Sequence, residues 1–198
     1  METKLKSGTC VVGIVCSDGV VLAADRQASM GDLVAVKDTK KITPLNNYIA
    51  IGTAGSVADI QVVERIMKAE ISLFEIERNK RMPIESAATL LSNILYSAGG
   101  MWVGLLLAGY DEKPWLFDID GRGGIESQKY CAVGSGSPVA YGVLEDRFEE
   151  NLKTDDGVKI AIKAVKAATE RDVYCGGTGI DVAVITKDGI KLIEHNFK

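Results

Sequence analysis

The stretch TCVVGIVCSDGVVLAAD, residues 9–25, constrains the fold more than any other part of the chain. Two apolar, β-rich runs, residues 9–17 and 20–25, flank the dipeptide Asp18-Gly19. That spacing predicts an antiparallel hairpin closed by a type I′ turn, which needs positive φ at both central positions. Only eight residues, METKLKSG, precede this buried-looking pair of strands. A short charged leader running straight into a core is unusual and asks for a reason.

The rest of the chain alternates between two periods. Residues 33–37 and 41–43 read as a second, shorter hairpin, and residues 48–53 as a strand. Ile60, Val63, Met67, Ile71 and Phe74 then recur at three- and four-residue spacing, which predicts an amphipathic helix over 57–79. Pro83 suits the first turn of a second helix, whose stripe is Ile84, Ala87, Leu91, Ile94 and Leu95. Strands are predicted at 102–110, 114–120 and 125–133. Helices follow at 137–148 and 154–171, the latter with Asp155 and Asp156 in its first turn. A final hairpin, 180–186 and 190–193, turns at Asp188-Gly189. Strands, two helices, strands, two helices, strands is not the alternation of a parallel sheet. Roughly ten short strands exceed one comfortable small sheet. The order predicts an α+β fold of two stacked antiparallel sheets with helices on both outer faces, in a single domain.

Composition narrows the function. The formal net charge is −4, and the only lysine cluster, Lys37, Lys40 and Lys41, is interrupted by Asp38. That argues against a nucleic-acid or anionic-membrane surface. No apolar run reaches transmembrane length, and residues 1–8 lack the apolar segment of a secretory signal. Cys10, Cys16, Cys131 and Cys175 form no C-x-x-C pair and read as buried free thiols of a reducing cytoplasm. The single histidine, His195, stands three residues from the C-terminus, a poor place for a catalytic base or a zinc ligand. The glycine pattern GSGSPVAYG fits neither dinucleotide nor phosphate-loop spacing. Acidic pairs are plentiful among 27 carboxylates, and nothing singles one out.

A chain without a useful histidine needs another base. The α-amino group has an ordinary pKa of about 7.7–8.0, against about 10.4 for lysine, so much of it is neutral near pH 7. An N-terminal threonine carries nucleophile and base in one residue. Thr9 fills that role only if the chain is cut between Gly8 and Thr9; the leader then caps the amine until the site is assembled. Taken alone, Thr9 reads first as a strand-forming residue at the mouth of a strand.

Several motifs in order carry a family resemblance: GTCVVGIV, DGVVLAADRQAS, KKI, GTAGSVADIQ, MPIESAATLLSNIL, GSGSPVAYGVLE and RDVYCGGTGIDVAVIT. Over residues 8–195 the chain resembles the β subunits of the 20S proteasome, most closely archaeal ones with short propeptides. The resemblance implies an N-terminal-nucleophile hydrolase fold, a four-layer αββα sandwich. It implies a threonine endopeptidase with residues 1–8 as a self-cleaved propeptide and 9–198 as the working domain. Also implied are a cytoplasmic four-ring barrel of heptameric α and β rings, a regulatory ATPase that feeds it, unfolded proteins as substrates, and no metal or cofactor.

The resemblance also assigns residues. Thr9 takes the nucleophile's place, with Asp25 and Lys41 as the acid and lysine beside it. A lysine there disfavours a second positive charge and lowers the amine's pKa, and the acid compensates a lysine that is costly to bury. Gly55 matches the oxyanion position, and Ser135 and Asp172 match groups that orient the amine. Cys175 stands where the family usually has a serine, and a thiol is the weaker partner. Cys10 replaces a common second threonine. Ser29 and Gly55 would bind the peptide backbone as an added strand. Ala28, Thr39, Thr43, Thr53 and Val57 match the pocket for the residue before the cut; being small and uncharged, they predict no strong preference for a charged side chain. Cys175 keeps open a nearly silent structural β subunit, and a different N-terminal-nucleophile hydrolase is the other alternative.

Overall fold

The computed structural model describes residues 8–197, so residues 1–7 of the expected propeptide lie outside the described residues. Strands β1 (Val11–Cys16) and β2 (Gly19–Asp25) form the expected hairpin. It joins β10 (Tyr130–Val133), β11 (Gly179–Thr186) and β12 (Gly189–Asn196) in a sheet of order β10-β1-β2-β11-β12. The second sheet runs β5 (Ile42–Pro44), β6 (Ile49–Gly55), β7 (Val103–Tyr110), β8 (Pro114–Asp120) and β9 (Ile125–Ser127). Every strand pair is antiparallel.

Alternation of side chains makes the layers. Val11, Val20, Leu22 and Ala24 of the first sheet pack against Ala50, Leu106, Ala108 and Leu116 of the second. Their neighbours Val12, Ile14, Val21 and Ala23 point the other way. They meet Ala161, Ala164, Val165 and Ala168 of α4 (Thr154–Arg171), beside which lies α3 (Ser137–Arg147). On the opposite outer face, Val63, Met67 and Ile71 of α1 (Val57–Arg78) cover Ile49, Ile51, Leu105 and Leu107. Leu91 and Leu95 of α2 (Ile84–Ser97) complete that layer. The result is the αββα sandwich that the sequence predicted. All four cysteines are free and buried, and no helix of the described residues is long and apolar enough to cross a membrane.

Three sequence expectations need correction. Cys16 pairs directly with Gly19, so the β1–β2 loop is Ser17-Asp18, and neither residue has positive φ. Gly19 is required for space instead: a Cβ there would lie 2.5 Å from the Ile185 carbonyl of the adjacent strand. The turn's Asp18 also reaches across to accept from Thr154 N at 2.9 Å, capping α4 from a distant hairpin. Second, residues 33–37 do not pair with 41–43. Strand β4 (Leu33–Val36) folds back on β3 (Ala28–Met30) as a separate exposed hairpin, while β5 pairs with β6. Third, residues 125–133 are two strands: β9 extends the second sheet beside β8, and β10 crosses to the first beside β1. His195 is exposed and paired with Ile180 in β12.

Candidate active site

The site residues gather where strands end. Asp25 closes β2, Lys41 precedes β5, Gly55 closes β6, Ser135 follows β10 and Asp172 caps α4. Thr9, two residues before β1, stands among them. Gly8, Thr9, Ala28, Ser29, Lys41, Thr53, Gly55 and Val57 border one cleft of about 200 Å³, together with Thr39 and Thr43. Asp25, Ser135, Asp172 and Cys175 do not border it; they lie behind it, linked by hydrogen bonds.

The electrostatic centre is a buried ion pair. Lys41 Nζ donates to Asp25 Oδ1 at 2.7 Å, with the two side chains 6% and 0% exposed. The same oxygen accepts from Cys10 N at 2.9 Å, which ties the pair to the residue next to Thr9. Asp25 Oδ2 accepts from Gly176 N at 2.8 Å and Gln27 N at 3.2 Å. Four donors on one carboxylate offset the cost of burying it. The Lys41 carbonyl accepts from Thr53 N at 2.9 Å and Thr53 Oγ1 at 3.3 Å, which fixes the lysine's backbone against β6.

Thr9 is held at three atoms. Its N donates to Ser135 Oγ at 3.1 Å, its carbonyl accepts from Gly136 N at 3.1 Å, and its Oγ1 donates to the Gly8 carbonyl at 2.6 Å. Two glycines make room here. Gly134 (φ +96°) lets the chain turn under Thr9, since a Cβ would fall 2.1 Å from the Thr9 carbonyl oxygen. Gly55 (φ +125°) lies against the Trp102 carbonyl with the same 2.1 Å limit. Cys175 Sγ donates to Asp172 Oδ2 at 3.1 Å and stands 4.0 Å from Ser135 Oγ. Burial first, then the nearby Asp25 carboxylate, raises the Cys175 pKa, so it acts as a neutral thiol.

Sequence reasoning missed four residues of the cleft wall, Lys40, Ile60, Gln61 and Glu64, and two behind it, Gln27 and Tyr174. Ile60, Gln61 and Glu64 share the cleft with Val57. Their i, i+3, i+4, i+7 spacing on α1 was a legible signal for one helix face. With Lys40 they give the cleft wall charges of both signs, so it is not made only of small uncharged residues. Gln27, Tyr174 and their contacts carry no local signal at all. Among the described residues, no group of three or more His, Cys, Asp or Glu is placed to hold a metal.

Comparison with known proteins agrees with this geometry. A family model described as "Proteasome subunit" matches residues 5–185. The chain is 47% identical to a proteasome subunit beta of Methanobrevibacter smithii over 195 residues, covering 98% of this chain and 95% of that one. It is 44% identical to proteasome subunit beta 1 of Thermococcus onnurineus, covering 96% and 94%, and 46% identical to a Methanocaldococcus fervens proteasome subunit beta, covering 94% and 85%. Matches of that length and identity, on a sandwich whose strand ends converge at Thr9, show that this chain belongs to the proteasome subunit family, as one of its β subunits.

Proposed function

We propose that the chain is a proteolytic β subunit: a threonine-type endopeptidase, made as a zymogen, that removes its own residues 1–8. One observation carries this reading. The Thr9 hydroxyl lies 2.6 Å from the carbonyl oxygen of the Gly8–Thr9 peptide, while Thr9 N is held by Ser135. An amide nitrogen is not a base, so with Gly8 attached the hydroxyl lacks its partner. In the self-cleavage step Thr9 Oγ adds to the Gly8 carbonyl carbon. The Gly8–Thr9 C–N bond breaks, the nitrogen takes the proton that Oγ gave up, and an ester remains on Oγ. Water hydrolyses the ester and frees both hydroxyl and amine.

In the mature cycle the amine takes the Oγ proton as Oγ attacks a substrate carbonyl. The new peptide amine leaves, and water releases the acyl-enzyme. Lys41 keeps the neighbouring amine unprotonated, Gly55 places its N–H toward the developing oxyanion, and Ser135, Asp172 and Cys175 orient the amine. The peptide binds as an added strand along Ser29 and Gly55, with Ala28, Thr53 and Val57 in the pocket before the cut. In this reading the chain works in the cytoplasm, in heptameric β rings between α rings, fed with unfolded proteins by a regulatory ATPase.

The test is N-terminal sequencing of the chain after co-assembly with α subunits. The expected N-terminus is Thr9, and Thr9→Ala should keep Met1–Gly8 and abolish peptide hydrolysis. An intact leader in particles that still hydrolyse peptides would overturn the assignment. A second reading, a structural β subunit needing a more active partner, is favoured by one observation: the thiol at Cys175 sits 4.0 Å from Ser135 Oγ, a weaker link than a hydroxyl would make.

A further inference from the structure

We propose that Gln27 is a positioning residue for the peptide-binding edge, acting through Ser29; the inference rests on the proteolytic reading above. Gln27 is buried between Asp25 and β3, yet it is neither part of the ion pair nor a wall of the cleft. Its side-chain amide has two N–H groups, and both are used. Nε2 donates to Ser29 Oγ at 3.1 Å and to the Val173 carbonyl at 3.1 Å. Ser29 Oγ in turn donates to the Tyr174 carbonyl at 3.4 Å. One planar amide therefore stitches the start of β3 to the loop that bears Asp172 and Cys175. Its backbone N–H meanwhile holds Asp25 Oδ2. Space is reserved for it: a Cβ on Gly176 would lie 2.7 Å from Gln27 Oε1.

The stitch has a purpose in this fold. Strand β3 belongs to a two-stranded hairpin outside both main sheets, and its pairing with β4 shifts register between Ala28 and Ser29. Met30, Leu33, Val34 and Val36 of the hairpin are all substantially exposed, so no core packing holds it. An edge that receives a peptide must stand at a fixed distance from the nucleophile. Gln27 supplies the polar fastening that packing does not. Loss of it lets the Ser29 edge shift relative to Thr9 while leaving the Thr9–Ser135 and Lys41–Asp25 contacts in place. The consequence falls on substrate binding more than on the chemical step.

The experiment is steady-state hydrolysis of a fluorogenic tetrapeptide by assembled particles carrying Gln27→Met, Ser29→Ala or both. Met matches the length of Gln without its donors. We expect each single variant to raise KM about fivefold, the equivalent of one net hydrogen bond, with kcat within about twofold. The double variant should be no worse than the worse single, because both act on one linkage. A general structural defect would instead lower kcat and multiply between the two sites. KM within twofold of the parent for Gln27→Met, or multiplying effects, overturns the proposal. If Gln27→Met does not assemble, an unchanged KM in Ser29→Ala overturns it alone. Parent particles whose turnover survives Thr9→Ala sink the proteolytic reading, and this inference with it; a normal Thr9-dependent parent with an unmoved KM sinks only this one.

Discussion

Replacing Asp25 by asparagine tests the physical centre of the site. The carboxylate is fully buried and accepts from Lys41 Nζ, Cys10 N, Gln27 N and Gly176 N. Asparagine turns one oxygen into an NH₂ group. Either Lys41 and Cys10, or Gln27 and Gly176, then face a donor instead of an acceptor. Breaking a buried ion pair at one end costs about 3–5 kcal/mol. For a domain of this size each kcal/mol moves Tm by about 2–4 °C, so the drop should be roughly 6–20 °C. Lys41→Met removes the charge as well and leaves Asp25 its three backbone donors. The double variant Asp25→Asn/Lys41→Met should therefore be no less stable than Asp25→Asn alone, with a coupling of about 2 kcal/mol. Urea unfolding followed by fluorescence of Trp102 and Trp115 measures this, in a Thr9→Ala background so that all variants keep the same leader. A loss under about 1 kcal/mol for Asp25→Asn, or purely additive singles, would refute the view that the pair is buried, charged and mutually dependent.

Gly8→Ala should slow leader removal at least tenfold by intact mass, because the added Cβ would lie 1.6 Å from Tyr174 Cβ, an atom fixed to the backbone; the fraction that is processed should hydrolyse peptides like the parent. Cys175→Ser should raise peptide turnover about fivefold, the worth of exchanging a weak thiol contact for a hydroxyl hydrogen bond; a fall in turnover would mean that the thiol is tuned to its site. Burial pushes the Cys10 and Cys16 thiols up to about 12 from an ordinary 9.0. A raised folded-state value gives stability that is complete below pH 9 and lost as pH rises toward 12. Each thiol adds about 1.4 kcal/mol of loss per pH unit across that window. Urea midpoints of the parent should fall across it, and Cys10→Ala should flatten the slope while leaving a residual fall from the other buried thiols, Cys16, Cys131 and Cys175.

The amino-acid sequence alone determined the order of elements, because hydrophobic period is a local property. Helices α3 and α4 begin at the expected residues 137 and 154, and the apolar 9–25 hairpin became the centre of the first sheet. Thr9, Asp25, Lys41 and Gly55 were singled out through the family resemblance, and the fold brings all four to one edge of the sheets. Tertiary structure decided which strands are neighbours. Nothing local says that residues 125–133 split between two sheets, or that β4 turns back on β3 and leaves β5 to β6. Gln27 reaches Val173, 146 residues away, and Asp18 caps a helix 136 residues away. Such contacts join groups with no periodic relation along the chain. They exist only once two sheets have stacked and brought their strand ends to one edge, and that edge is where Thr9, the Lys41–Asp25 ion pair and the strand bearing Ser29 come together.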